Sequence, residues 1–128
     1  MISSMAYLVD SSVWVALFLD FDAQHKKAVR FFDDLIGTLY IPYCVINEVA
    51  TVIAYKHSKQ QANNFLTFIE NNSDISIIDD DAKEEALFYK SIPNKISFTD
   101  AALVRFSKKL PAEFITFDKQ LFRIVKKG

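Results

Sequence analysis

The chain is predicted to be an α/β three-layer sandwich, a central, mainly parallel sheet of four to five strands flanked by helices. Three observations predict it. Short β-favouring runs alternate with helical segments along the length, the pattern of open α/β folds. Several of those runs end at a polar residue that feeds a helix, as buried parallel strands do. Finally, 51% hydrophobic residues in 128 positions fill one core, while two glycines and three prolines leave little for linkers, so residues 1–128 are expected to form a single domain.

Tyr7-Leu8-Val9 is the first strand, and Asp10-Ser11-Ser12 follows it. A serine oxygen accepts from unpaired amides of a first turn, so Ser11 or Ser12 is expected to cap a helix over Val13 to Asp20. A second helix covers Gln24 to Leu35, with Ala28, Phe31, Phe32 and Leu35 on one face, and Gly37 ends it. Leu39-Tyr40-Ile41 is the second strand. After the break at Pro42, apolar residues at 45, 49, 52 and 53 mark a helix from Val45 to Ile53.

Ser58 is placed to cap a helix from Lys59 to Glu70, striped by Ala62, Phe65, Leu66 and Ile69 and stopped by Asn71-Asn72-Ser73. Ile75 to Ile78 is a strand, and a helix follows near Asp81 to Lys90. Ser91 to Ser97, with Pro93 and Asn94, is a loop; Ser97 or Thr99 then starts a helix from Asp100 to Lys109. Phe114-Ile115-Thr116-Phe117 is a fourth strand, and Asp118 leads into a last helix carrying Leu121, Phe122 and Val125. Met1 to Ser4 is expected to be a loose lead, with Met5 an alternative start.

The single cysteine, Cys44, excludes an intramolecular disulfide, no secretion signal is evident, and the longest apolar run, Val13 to Leu19, is far short of the roughly 20 residues of a membrane span. A cytoplasmic protein without a membrane segment is expected. His25 and His57 lack partners at zinc-binding spacing. The net charge of −1 argues against a strong nucleic-acid binder, but its distribution is uneven. Arg105, Lys108, Lys109, Lys119, Arg123, Lys126 and Lys127 crowd the end against Glu113 and Asp118, and Asp74 to Glu85 is acidic. Two solvated surfaces of opposite sign and a polyanion footprint explain that equally well.

In open α/β sheets ligands sit beyond the carboxyl ends of the strands. Asp10 and Asp118 each follow a strand, Asp100 opens a helix, and Glu48 lies in the first turns of another, so all four are expected to converge on one rim. Clustered carboxylates push one another towards protonation, and a divalent ion removes that conflict. Oxygen donors suit Mg²⁺, which keeps several waters, and also Mn²⁺. One or two such ions acidify a bound water and stabilise the leaving oxygen of a phosphodiester, which makes hydrolysis of a nucleic-acid backbone the candidate reaction. Setting the four acids aside leaves 12 acids against 15 Lys and Arg, a mildly basic remainder compatible with RNA. Taken singly, Asp10, Asp100 and Asp118 also read as helix-terminus residues and Glu48 as a solvated helix acid.

The pieces "YLVDSSVW" around Asp10, "VINEVA" around Glu48, "ISFTDAALV" around Asp100 and "FITFDKQLFRIV" around Asp118 resemble the PIN-domain family, in particular the toxins of VapBC-type toxin–antitoxin pairs. They span nearly the whole chain in the family's order. The resemblance implies a Mg²⁺- or Mn²⁺-dependent endoribonuclease acting on RNA, with Asp10, Glu48, Asp100 and Asp118 as catalytic, metal-binding acids and a cognate antitoxin near the groove. Ser12, Ser97 and Thr116 occupy the motifs' small hydroxyl positions, where orienting a carboxylate or water competes with helix capping and strand termination. The chain stops soon after its last helix, which leaves a fifth strand in question.

The helices at Val13 to Leu19 and Val45 to Ile53 are apolar on more than one face. Core packing explains that first, and a homodimer and an antitoxin groove, with Trp14 and Tyr55 as contacts, are expected beside it. The alternatives in function are a PIN nuclease of RNA processing and a non-catalytic module keeping the fold. Phosphotransfer proteins fit poorly: Ser12 stands where a haloacid-dehalogenase-like phosphatase needs a second aspartate, and a receiver domain's acceptor aspartate and lysine are not convincingly placed.

Overall fold

The computed structural model describes residues 5–127, so the loose lead expected at Met1 to Ser4 lies outside the described residues. Four strands, β1 (Ala6–Val9), β2 (Thr38–Pro42), β3 (Ile75–Ile78) and β4 (Glu113–Ile115), pair wholly in parallel in the order β3-β2-β1-β4. No fifth strand joins them among the described residues. Position in the sheet explains their composition. Leu8 and Val9 of the central β1 are fully buried, whereas Ser76 and Ile77 on the edge strand β3 are exposed.

Among the described residues seven helices connect and cover the strands: α1 (Ser11–Phe18), α2 (His25–Asp34), α3 (Tyr43–Lys56), α4 (Lys59–Asn71), α5 (Ala82–Ser91), α6 (Phe98–Lys109) and α7 (Lys119–Lys127). α1 packs on α2 and α3, α3 on α4, and α5 on α6. The apolar circumference of α1 and α3 follows from burial on several sides at once: Val13, Trp14, Ala16, Val45, Val49 and Ile53 are all fully enclosed. Trp14 is therefore a core residue rather than a surface contact, wrapped by Phe32, Phe65 and Phe68 at ring-centroid distances of 4.8, 5.9 and 6.2 Å. Tyr55, by contrast, is 88% exposed.

The capping expected of Ser11 or Ser12 is not what forms. Asp10 occupies the N-cap, both serines fall inside the first turn, and α1 ends at Phe18, two residues early. The caps expected of Ser58 and Ser97 do form, their hydroxyl oxygens accepting from the amides of Gln61 and Asp100 at 3.0 Å each. β4 stops at Ile115 rather than Phe117, because the next residues turn away to build the site.

Gly37 lies past the end of α2, in the turn that enters β2, with φ at 137°. A side chain there would bring its Cβ to 2.2 Å from the Met5 carbonyl oxygen, which accepts from the Thr38 amide at 3.0 Å. Gly37→Ala is therefore expected to cost on the order of 1–3 kcal/mol from the strained backbone alone. Chemical denaturation measures it, and an unchanged midpoint would refute the constraint.

Candidate active site

The order β3-β2-β1-β4 builds outward from β1 to one side and then returns to place β4 on the other, so the direction reverses between β1 and β4. Loops diverge at such a switch point and leave a crevice at the carboxyl ends of the strands. Asp10 and Thr116 directly follow those two strands, and the Asp10 amide donates to the Ile115 carbonyl at 2.9 Å, fastening them at the rim. α3 starts where β2 ends and carries Glu48 in its second turn, and α6 presents Asp100 in its first turn. All four predicted acids line one cleft of about 330 Å³.

Asp10 is only 3% exposed, and two hydroxyls fix its carboxylate. Ser12 and Thr116 donate to the same oxygen, Oδ2, at 2.8 and 2.7 Å. Each hydroxyl also accepts a backbone N–H, Ser12 from Phe117 at 3.2 Å and Thr116 from Asp118 at 3.0 Å. With its proton committed to Asp10 and a lone pair to an amide, neither hydroxyl is free to rotate. Asp118 closes the turn: its Oδ1 accepts from the Leu121 amide at 3.1 Å and caps α7. Ser97 sits apart from this network as the cap of α6, although its hydroxyl draws the Asp100 carboxyl slightly back towards ionisation.

Burial raises the Asp10 pKa, and the two hydroxyl bonds oppose that rise. Asp100 is pushed up to about 6, first by burial and then by the charges of Asp10, Glu48 and Asp118. Those couplings place the four carboxylates in one electrostatic unit. A fifth acid, Asp22, lines the same cleft, its Oδ1 accepting from the Gln24 amide at 2.8 Å. Sequence reasoning missed it because it lies in a connection between two helices, with no strand end to mark it. No Lys or Arg is among the described residues that line the cleft.

A second acidic group answers differently. Cys44, Asp80 and Glu85 bring one ligand atom each within 4.8 Å of one another, the one such trio among the described residues, so the cleft acids stand wider apart than this. Cys44 lies one turn before Glu48 on α3. Its thiol is pushed up to about 12 by burial and by the charges of Asp80 and Glu85, which leaves it protonated and a poor ligand. Arg105, 8% exposed on α6, supplies positive charge to both acids. This corrects two expectations: Glu85, at 4% exposure, is not part of a solvated acidic surface, and Arg105 is not part of a basic one. Arg105 offsets part of the charge of the tighter group, and among the described residues no Lys or Arg lining the cleft does so there.

The donor set of the cleft fits a hard divalent ion. Asp10, Glu48, Asp100 and Asp118 offer carboxylate oxygens alone, and their wider spacing suits an ion that retains waters between itself and some of its ligands.

A family model described as the PIN domain matches residues 7–127. The chain belongs to the PIN-domain family. Among solved structures, this PIN domain is similar to Mycobacterium tuberculosis VapC20, a toxin that cleaves the sarcin–ricin loop, with a TM-score of 0.81 and 20% identity over 91% of this chain and 93% of that one. It is also similar to VapBC2 from Rickettsia felis bound to a DNA fragment of its promoter, with a TM-score of 0.66 and 18% identity over 94% of this chain and 93% of that one. At these identities the likeness establishes the PIN fold. No curated protein matches the sequence.

Proposed function

We propose that this PIN domain is a Mg²⁺- or Mn²⁺-dependent endoribonuclease, the toxin of a toxin–antitoxin pair. One observation carries the reading. Five acids line a cleft without a Lys or Arg among the described residues, and burial together with the charges of Asp10, Glu48 and Asp118 raises the pKa of Asp100 to about 6. Such a site resists full ionisation until a cation enters. In this reading Asp10, Glu48, Asp100 and Asp118 hold the metal, which when bound acidifies a water and stabilises the leaving oxygen of a phosphodiester. Ser12 and Thr116 are positioning residues that fix the Asp10 carboxylate through Oδ2. Ser97 positions Asp100 by capping its helix.

The likeness to a VapC toxin and to a VapBC assembly supports RNA as substrate and a cognate antitoxin as partner. A homodimer and a cytoplasmic location belong to the same reading, and no helix among the described residues is long and apolar enough to cross a membrane.

The test uses purified chain and total bacterial RNA. Cleavage is expected with Mg²⁺ or Mn²⁺, none with EDTA, and a loss exceeding about 100-fold in Asp10→Asn, since even outer-shell partners of metal ligands are worth 10- to 100-fold. The Asn carbonyl oxygen still accepts from Ser12 and Thr116, so the circular-dichroism melt stays cooperative. Undiminished cutting by folded Asp10→Asn, or cutting that EDTA does not stop, would overturn the mechanism.

A further inference from the structure

The carboxylate cleft does not end at Asp118. It shares Gln24, Phe117 and Asp118 with an adjoining groove of about 390 Å³, which also takes in Lys27, Lys119, Phe122 and Arg123. That groove shares Arg123 with a third, of about 410 Å³, where Lys108 and Lys127 stand. Three hollows therefore stand in succession, each sharing lining residues with the next, and mark one path over the surface. Along its two outer sections Asp118, at the junction, is the only carboxylate among the described lining residues, against five exposed cations. In a chain of net charge −1, that separation is local and directional.

α7 shapes the path. Lys119, Arg123 and Lys127 recur every four residues, so they form one stripe along the helix with steps of about 6 Å. Phe122 lies beside the stripe and is 44% exposed, while Leu121 faces the core. Packing does not require an aromatic ring there. Two rings in the path have ammonium groups above them: Lys126 Nζ lies 5.3 Å from the Phe122 centroid, and Lys27 Nζ lies 5.3 Å from that of Phe117. Of the two, Phe122 is exposed and Phe117 half-buried, and cations beside an exposed ring are what an unpaired strand needs, phosphates meeting the charges and a splayed base stacking on the ring. A duplex keeps its bases stacked on one another and gains nothing from Phe122.

We propose that α7 forms the strand-guiding arm of the site: single-stranded RNA runs from the carboxylate cleft across Lys27, Lys119 and Arg123 towards Lys108 and Lys127, with one base stacked on Phe122. This deepens the nuclease reading and rests on it for the identity of the strand. The path explains how an acidic cleft retains a polyanion: charge beyond Asp118 holds the strand, and the acids meet a single phosphate. In this proposal the basic C-terminal segment, Arg105 excluded, serves as a polyanion footprint.

The experiment measures fluorescence anisotropy of a labelled single-stranded RNA 12-mer and of the same sequence as a duplex. Asp100→Asn is the parent, so that nothing is cut. Phe122→Leu is expected to weaken single-strand binding about 5- to 100-fold and leave duplex binding unchanged, with Phe122→Tyr restoring the affinity. Lys119→Ala with Arg123→Ala is expected to reduce the slope of log K against log salt by about 1.4, two phosphate contacts at about 0.7 each. All these side chains are exposed, and matching thermal melts establish intact folding. Equal binding by parent and Phe122→Leu, equal losses for both RNAs, or an unchanged salt slope would overturn the arm. If the arm binds as stated and the wild type cuts no RNA with Mg²⁺, the nuclease reading fails alone. If the wild type cuts and Phe122→Leu binds normally, only the arm fails.

Discussion

Asp100→Asn is expected to abolish cleavage and, in the absence of metal at pH 7, to stabilise the fold. Both follow from the same crowding. The Asp100 carboxyl is shifted from 3.8 to about 6 by burial and by Asp10, Glu48 and Asp118. As pH rises from about 4, the unfolded chain loses this proton first while the folded chain keeps it. Folded stability therefore falls through that window and stays lower above about 6. Asparagine carries no such penalty. The melting temperature of the variant should exceed that of the wild type at pH 7 in EDTA, and the gap should close near pH 4. Mg²⁺ at 1,000 times its Kd should reverse the order, because it then adds about 4.1 kcal/mol to a protein that binds it. A destabilised Asp100→Asn at pH 7 in EDTA would contradict the account of the cleft.

The second large effect is structural. Trp14→Ala removes the fully buried ring enclosed by Phe32, Phe65 and Phe68. Truncations of this kind cost about 3–5 kcal/mol, a large part of the roughly 5–15 kcal/mol that holds a domain folded. A fall in melting temperature of roughly 10–20 °C is expected. Trp14→Phe should lose far less, because the indole N–H it deletes has no protein acceptor. Equal melting temperatures for the wild type and Trp14→Ala would place Trp14 outside the core.

What the sequence made legible follows from local chemistry. Periodicity and cap residues together marked the strands and helices, because a two-sided buried strand such as Leu8-Val9 and a one-sided helix such as α2 must write different patterns. The four acids were legible because three sit at element boundaries and Glu48 within two turns of one, and residues nearby in sequence define those boundaries. What stayed open or escaped depends on partners far along the chain. Ser12 could be a cap or an orienting hydroxyl, and its hydroxyl is spent on Asp10 and on the Phe117 amide, 105 residues away. Thr116 looked like strand, yet it turns out of β4 to reach Asp10, a contact between residues 106 positions apart. Trp14 and Arg105 looked available to partners because neither burial nor the charge that Arg105 exerts on Asp80 and Glu85 is written beside them. Asp22 had no local mark at all.

That difference has a chemical sense. The acids proposed to hold the ion lie near where strands stop and helices start, so sequence position points to them. The bonds that Ser12 and Thr116 make to Asp10 depend on tertiary closure of β1 against β4, and the folded chain shows which of their possible roles they take.

Calorimetric titration of Mn²⁺ into the metal-free wild type and into Asp100→Asn is the most direct test of whether the cleft acids exist to capture a divalent cation. Saturable heat in the wild type, lost or weakened at least tenfold in folded Asp100→Asn, is the predicted result. No saturable heat in the wild type, or isotherms that superimpose for the two proteins, would contradict it.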